Sequence, residues 1–135
     1  MRATEREARA LRANRVARIV VDAAIKVHRA LGPGMLESAY EAALAHELGR
    51  RGLSVRTQVP IDIRYEDLRI VGGFRADLIV DQIVLVELKA LAGTLPVHKR
   101  QTITYLRFTG LPIGLLLNFG APTMKDGITR LVHRL

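Results

Sequence analysis

The chain has 135 residues, 49% of them apolar and 25% charged, enough to fold as one domain with a sizeable core and far from the composition of a disordered chain. It holds no cysteine, which excludes disulfides, thiolate metal sites and cysteine nucleophiles and fits a reducing cytoplasm, the expected location. Its formal net charge of +8, from 21 basic and 13 acidic residues, favours a polyanionic partner, nucleic acid before an anionic membrane surface, unless the arginines simply reflect genome composition.

Residues 1–14 carry Arg2, Arg6, Arg9 and Arg12 among alanines, and read as a frayed or helical basic arm ahead of a single domain over 15–135. Glu5 and Glu7 argue against a transit peptide. From there an amphipathic helix is predicted to about Leu31, with Val16, Ile19, Val20, Ala23, Val27 and Ala30 on one face. Arg15, Arg18, Asp22, Lys26 and Arg29 lie opposite, Asp22 and Lys26 forming an exposed i,i+4 pair. The stretch "VARIVVDAAIKV" is interrupted by Asp22 and Lys26 and is too short to span a bilayer, so no membrane association is expected.

"GPG" at 32–34 ends that helix, and a second is expected from about Met35 to Arg51, stopped by Gly52. The period then becomes strand-like. "LSVRTQVPIDIRY" is an extended segment in which Pro60 marks an edge or a bulge, followed by separate strands "RIV" at 69–71, "RADLIV" at 75–80 and "IVLVELKA" at 83–90. "PVHKRQTITYLRFTG" is a helix with Pro96 in its first turn and Gly110 as its stop, "PIGLLLNFG" a fully buried strand, and "ITRLVHRL" a short final one. The order predicts an α/β fold in which a mixed sheet is flanked by helices.

Chemistry concentrates where apolar strands end in charge. On "IVLVELKA", alternation puts Leu85, Glu87 and Lys89 on one face and Val84, Val86 and Leu88 on the other. Taken alone, Glu87 and Lys89 are a surface pair on a half-exposed strand. Asp77, ten positions before Glu87, changes that reading, since buried charges must be paired or must hold something. The two acids share a face of a hairpin only if its loop has an odd number of residues, such as Asp81, Gln82 and Ile83, and that loop is the expectation. Two adjacent carboxylates repel unless a cation lies between them, and oxygen ligands of this kind suit Mg²⁺ or Mn²⁺. Lys89 would then orient or deprotonate a metal-bound water and stabilise the charge of a phosphoryl transition state.

On the second helix Glu37 falls on the stripe of Tyr40, Glu41, Leu44 and Leu48, with Tyr40 and Glu41 expected to pack or bond locally around it. It otherwise reads as a first-turn acid complementing the helix dipole. On the later helix His98, Gln101 and Tyr105 form a stripe, either an inward polar cap or, beside a metal site, holders of phosphate or carboxylate. His98 is the weakest of these, and His28, His46 and His133 show no metal-ligand spacing.

An Asp, then Glu-x-Lys about ten residues on, then Gln-x-x-x-Tyr, here Asp77, "ELK" at 87–89 and "QTITY" at 101–105, resembles the PD-(D/E)XK nuclease superfamily in its RecB-like branch. "GMLESAY" at 34–40 is similar to the signature of the GxxExxY protein family, as are "FRADLIV", "PVHKRQTITYLRFTG" and "GLLLNFG" in order and spacing, over roughly residues 15–135. The resemblance implies a restriction-endonuclease-like αβββαβ core with an extra N-terminal helix. It implies a divalent metal, Mg²⁺ or Mn²⁺, on Asp77, Glu87 and the Leu88 carbonyl, with Lys89 as catalytic lysine. Glu37 would reach the metal through water, and Gln101 and Tyr105 would support the site. Ala76 stands where the superfamily's name has a Pro, as in many of its members. The expectation is a Mg²⁺-dependent nuclease, with DNA favoured over RNA and Arg50, Arg51, Arg56 and Arg107 following phosphates. The alternative is a non-catalytic nucleic-acid- or protein-binding module on the same fold, and the Arg-rich N-terminus allows a homodimer with two sites across a duplex.

Overall fold

Helical periodicity in the first third of the chain builds two helices. In a computed structural model, which describes residues 1–133, α1 spans Ala3–Leu31 and α2 spans Glu37–Arg50. The helix expected to start near residue 14 starts at Ala3, because alanine and arginine are strong helix formers and the first turns are tied to the body. Arg9 donates to the Gly110 carbonyl (3.2 Å), Arg12 donates to the Asp81 carbonyl (2.5 Å), and Ala13 is already in the core. Asp22 and Lys26 do not pair with each other, because α2 lies alongside and supplies closer partners. Arg51 meets Asp22 (2.5 Å) and Glu47 (2.9 Å), and Lys26 meets Glu47 (3.0 Å).

Alternation then produces β1 (Val55–Tyr65), β2 (Leu68–Val80) and β3 (Val84–Lys89). "RIV" and "RADLIV" belong to one strand, β2, with Gly72 and Gly73 inside it. Opposite them, between Ile61 and Ile63, the ladder shifts register. This irregularity leaves Asp62 free to accept from the Gly72 N–H (3.0 Å) and from Arg69 (2.7 Å), which holds the two halves of the strand together. α3 (Pro96–Thr109) carries the chain over the sheet to β4 (Ile113–Asn118), and β5 (Ile128–Val132) closes the order β1-β2-β3-β4-β5. The final strand was expected to run on through residues 134–135, which lie outside the described residues.

β3 and β4 are parallel and the other pairs antiparallel, so the sheet is mixed. Pro60 sits on β1, an edge strand, where its missing N–H costs no ladder bond toward solvent. One face of the sheet, with Leu78, Val80, Val84, Val86, Leu88, Leu115 and Leu117, packs under α1 and α2. The other, with Ile79 and Leu85, packs under Leu106 of α3 and Leu111. Gly114 permits the close approach of α3, since a Cβ there would lie 3.1 Å from both Leu106 and Thr102. Among the described residues no helix is long and apolar enough to cross a membrane.

Tyr40 joins these layers. Fully buried, it stacks on Phe119 with ring centroids 4.5 Å apart, donates from its hydroxyl to the Gly32 carbonyl (2.5 Å) and accepts from the Met35 N–H (3.1 Å). The tyrosine therefore fixes the turn between α1 and α2. Tyr40→Phe leaves two backbone groups without a partner and is expected to lower stability by about 1–2 kcal/mol, read as a lower denaturant midpoint with an unchanged slope.

Candidate active site

The site is set by the turn between β2 and β3. Val80 pairs with Val84, so the loop is Asp81, Gln82 and Ile83, the odd length expected. Asp81 and Gln82 both adopt positive φ (51° and 58°), and the Ile83 N–H closes the turn on the Val80 carbonyl (3.1 Å). The turn is held from outside as well: the Asp81 N–H donates to the Ser54 carbonyl (2.8 Å) and the Asp81 carboxylate accepts from the Ser54 N–H (3.3 Å). This register carries Asp77 opposite Glu87 on the α3 face.

There the two acids are in direct contact. The Asp77 N–H donates to Glu87 Oε1 (3.3 Å), and Asp77 Oδ2 accepts from the Leu88 N–H (2.8 Å). Glu87 is 5% exposed, and its carboxyl is pushed up from 4.5 to about 9. Burial is the main cause and the Asp77 charge the next, while the Asp77 N–H and the charge of Lys89 pull the other way. The protonated form of Glu87 is therefore favoured beside Asp77. Lys89, half-buried at the end of β3, shares the face of Glu87.

α3 delivers Tyr105 to the same place. Its ring stacks on Phe74 of β2 with centroids 3.9 Å apart. Burial and then the Glu87 charge raise its hydroxyl above the usual tyrosine range, Asp77 adds to this, and the Gln101 side chain opposes it. Tyr105 therefore remains a hydrogen-bond donor beside the carboxylates. His98, from the same predicted stripe, is occupied elsewhere: its Nδ1 accepts from the Leu95 N–H (3.1 Å) and closes the first turn of α3.

Glu37 makes no direct contact with the pair among the hydrogen bonds of the described residues. It is exposed in the first turn of α2 and has no side-chain hydrogen bond among the described residues, because that turn, like the preceding loop, lies at the surface. Nor do Tyr40 and Glu41 gather around it. Tyr40 belongs to the α1–α2 turn, and Glu41, one turn further along α2, accepts from Gln58 Nε2 (2.8 Å), which also donates to Asp77 Oδ1 (3.4 Å). Arg51, expected to follow phosphates, is engaged by Asp22 and Glu47.

Two residues of the site escape the periodic patterns. Gln58 looks like any polar residue of an alternating strand. Asn118 is buried at the end of β4, where Oδ1 accepts from the Leu91 and Gly120 N–H groups (2.9 and 3.0 Å) and Nδ2 donates to the Leu91 carbonyl (3.1 Å). It thereby fixes the loop that leaves Lys89. A buried asparagine closing an apolar strand is a signal of such a role only once its neighbours are known.

Asp77 and Glu87 bring two carboxyl groups into one place, and oxygen ligands of this kind suit Mg²⁺ or Mn²⁺, although among the described residues no group of three or more His, Cys, Asp and Glu is placed to share a metal. Without a cation the raised Glu87 carboxyl makes stability depend on pH. Its folded value of about 9 exceeds the ordinary 4.5, so its contribution is full below about pH 4.5 and is lost as pH rises towards 9. Metal-free protein is expected to lose stability progressively across that window. Denaturant midpoints at stepped pH should show this decline, Glu87→Gln should flatten it, and added Mg²⁺ should stabilise most at the alkaline end.

A sequence model of the PD-(D/E)XK nuclease superfamily matches residues 14–131. Comparison with curated proteins gives no match, and comparison with solved structures gives none. The mixed five-stranded sheet between helices, with its added N-terminal helix, is the restriction-endonuclease-like α/β arrangement. Matched over most of its length, the chain belongs to the PD-(D/E)XK nuclease superfamily.

Proposed function

We propose that the protein is a divalent-metal-dependent nuclease that hydrolyses phosphodiester bonds, with DNA favoured over RNA, and that it stands with the GxxExxY family in the RecB-like branch. The observation that carries this reading is the contact between the Asp77 and Glu87 carboxyl groups, with Lys89 two residues on and on the same face.

Asp77, Glu87 and the Leu88 carbonyl would hold the cation, Mg²⁺ or Mn²⁺, which supplies Lewis acidity toward the scissile phosphate and a water of lowered pKa. Lys89 orients the attacking water and offsets the negative charge that develops on phosphorus oxygens. Tyr105, kept protonated by its surroundings, offers a donor beside the carboxylates, and Gln101 orients the tyrosine. Exposed Arg50 and Arg56, together with the net charge of +8, favour contact with the phosphate backbone, and the basic segment 1–14 extends that surface.

Labelled single-stranded DNA, duplex DNA and RNA incubated with protein and Mg²⁺ or Mn²⁺ test the reading. Cleavage should require metal and fall at least about a hundredfold in Lys89→Ala and Glu87→Ala, as expected for loss of a group that stabilises charge in the transition state. Calorimetry should show Glu87→Ala losing metal and Lys89→Ala retaining it. Metal binding with no cleavage of any of the three would leave a binding module on a nuclease fold.

A further inference from the structure

In β1 the ladder with β2 runs Thr57↔Leu78 and Val59↔Ala76 but is interrupted between them, at Gln58 opposite Asp77. Gln58 has φ of +50°, a left-handed conformation that costs a residue with a side chain about 1–3 kcal/mol and that the surrounding structure must enforce. The turn at this residue is what allows its side chain to reach two acids at once. Nε2 donates to Glu41 Oε1 at 2.8 Å and to Asp77 Oδ1 at 3.4 Å. The second Asp77 oxygen is held by the Leu88 N–H at 2.8 Å, so the carboxylate is gripped from both sides.

We infer that Gln58 is a positioning residue for the candidate metal centre: anchored by Glu41 on α2, it holds the Asp77 carboxylate in the orientation that receives the cation. This rests on the metal-dependent reading above. The amide suits the task because one NH₂ group supplies two protons to two carboxylates without adding a ligand or a charge. Second partners of this kind, which orient a ligand without touching the metal, characteristically tune affinity for the ion. The same bridge makes Glu41 the acid through which α2 acts on the site.

The test is Mn²⁺ binding by calorimetry on the full chain, with the thermal midpoint of each metal-free variant as the check on folding. Gln58→Ala should weaken Mn²⁺ binding about tenfold, the lower end of the usual range because Gln58 is solvent-exposed. Glu41→Ala should do the same, while Glu41→Gln, which keeps the acceptor oxygen, should remain close to the parent chain. The double variant Gln58→Ala/Glu41→Ala should be no weaker than either single change, since both break one bridge. In cleavage, Gln58→Ala should raise the metal concentration needed and leave the rate at saturating Mn²⁺ largely restored, a split that a merely structural role would not produce. Parent-like affinity in Gln58→Ala, or additive losses in the double variant, would overturn the inference while leaving the nuclease reading intact. A parent chain that binds neither Mn²⁺ nor Mg²⁺ would overturn the metal centre itself and this inference with it.

Discussion

Two carboxyl groups that should repel, Asp77 and Glu87, are forced together on one face of a sheet, and the rest of the molecule is arranged around that contact. The force comes from register. A slip of one residue would turn Glu87 to the opposite face and bury it against the apolar side chains beneath α1 and α2. The three-residue turn prevents the slip, and it is braced by Ser54 at the entry to β1 and by Arg12 of α1, elements distant in sequence. Burial first, and the neighbouring Asp77 charge next, push the Glu87 carboxyl well above the usual carboxylate range, so the fold brings the two acids together against their electrostatic preference.

The surrounding scaffold converts a charge pair into a centre with direction. β3 and β4 are parallel and almost wholly buried, so along β3 only Lys89, at its end, is partly open to solvent. Beyond that point the backbone is not left loose. The Phe119 N–H donates to the Lys89 carbonyl (2.7 Å), Asn118 holds Leu91, and the Leu91 backbone lies so close to Gly120 that no side chain fits there. α3 then returns over the sheet, brought close by Gly114, and Tyr105 arrives stacked on Phe74 only three residues before Asp77. Positioning by packed apolar elements with a few buried polar clamps is what holds reactive groups in place without strain at the groups themselves.

The glycine, glutamate and tyrosine of "GMLESAY" separate into different roles once the fold is known. Tyr40 is a structural clamp, bonded to Gly32 and Met35 and stacked on Phe119. Glu37 remains at the surface, and the carboxylate that α2 links to the site is Glu41, through Gln58. Of the motif, Tyr40 holds the α1–α2 turn, while the link from α2 to Asp77 comes from the residue just after it, Glu41.

Much of the architecture was legible in one dimension. Periods of 3.6 and 2 place the three helices and the central strands, because burial of one face is what each element requires. The same alternation puts Glu87 and Lys89 together, and the spacing to Asp77 requires an odd loop if the acids are to meet. Periodicity leaves the first turns of α1 open between a frayed and a helical arm, since no apolar face marks them, and it divides β2 because the strand's glycines resemble a turn. What the sequence determined, then, is which side chains share a face within an element, since that depends only on local geometry. The tertiary structure alone decided which residues meet across elements: Gln58 with Glu41 and Asp77, Asp22 with Arg51, Lys26 with Glu47, Asn118 with the loop after Lys89. Those meetings depend on register, on one residue of β1 at positive φ, and on hydrogen bonds between segments far apart in the chain, and no periodicity of a single segment encodes them.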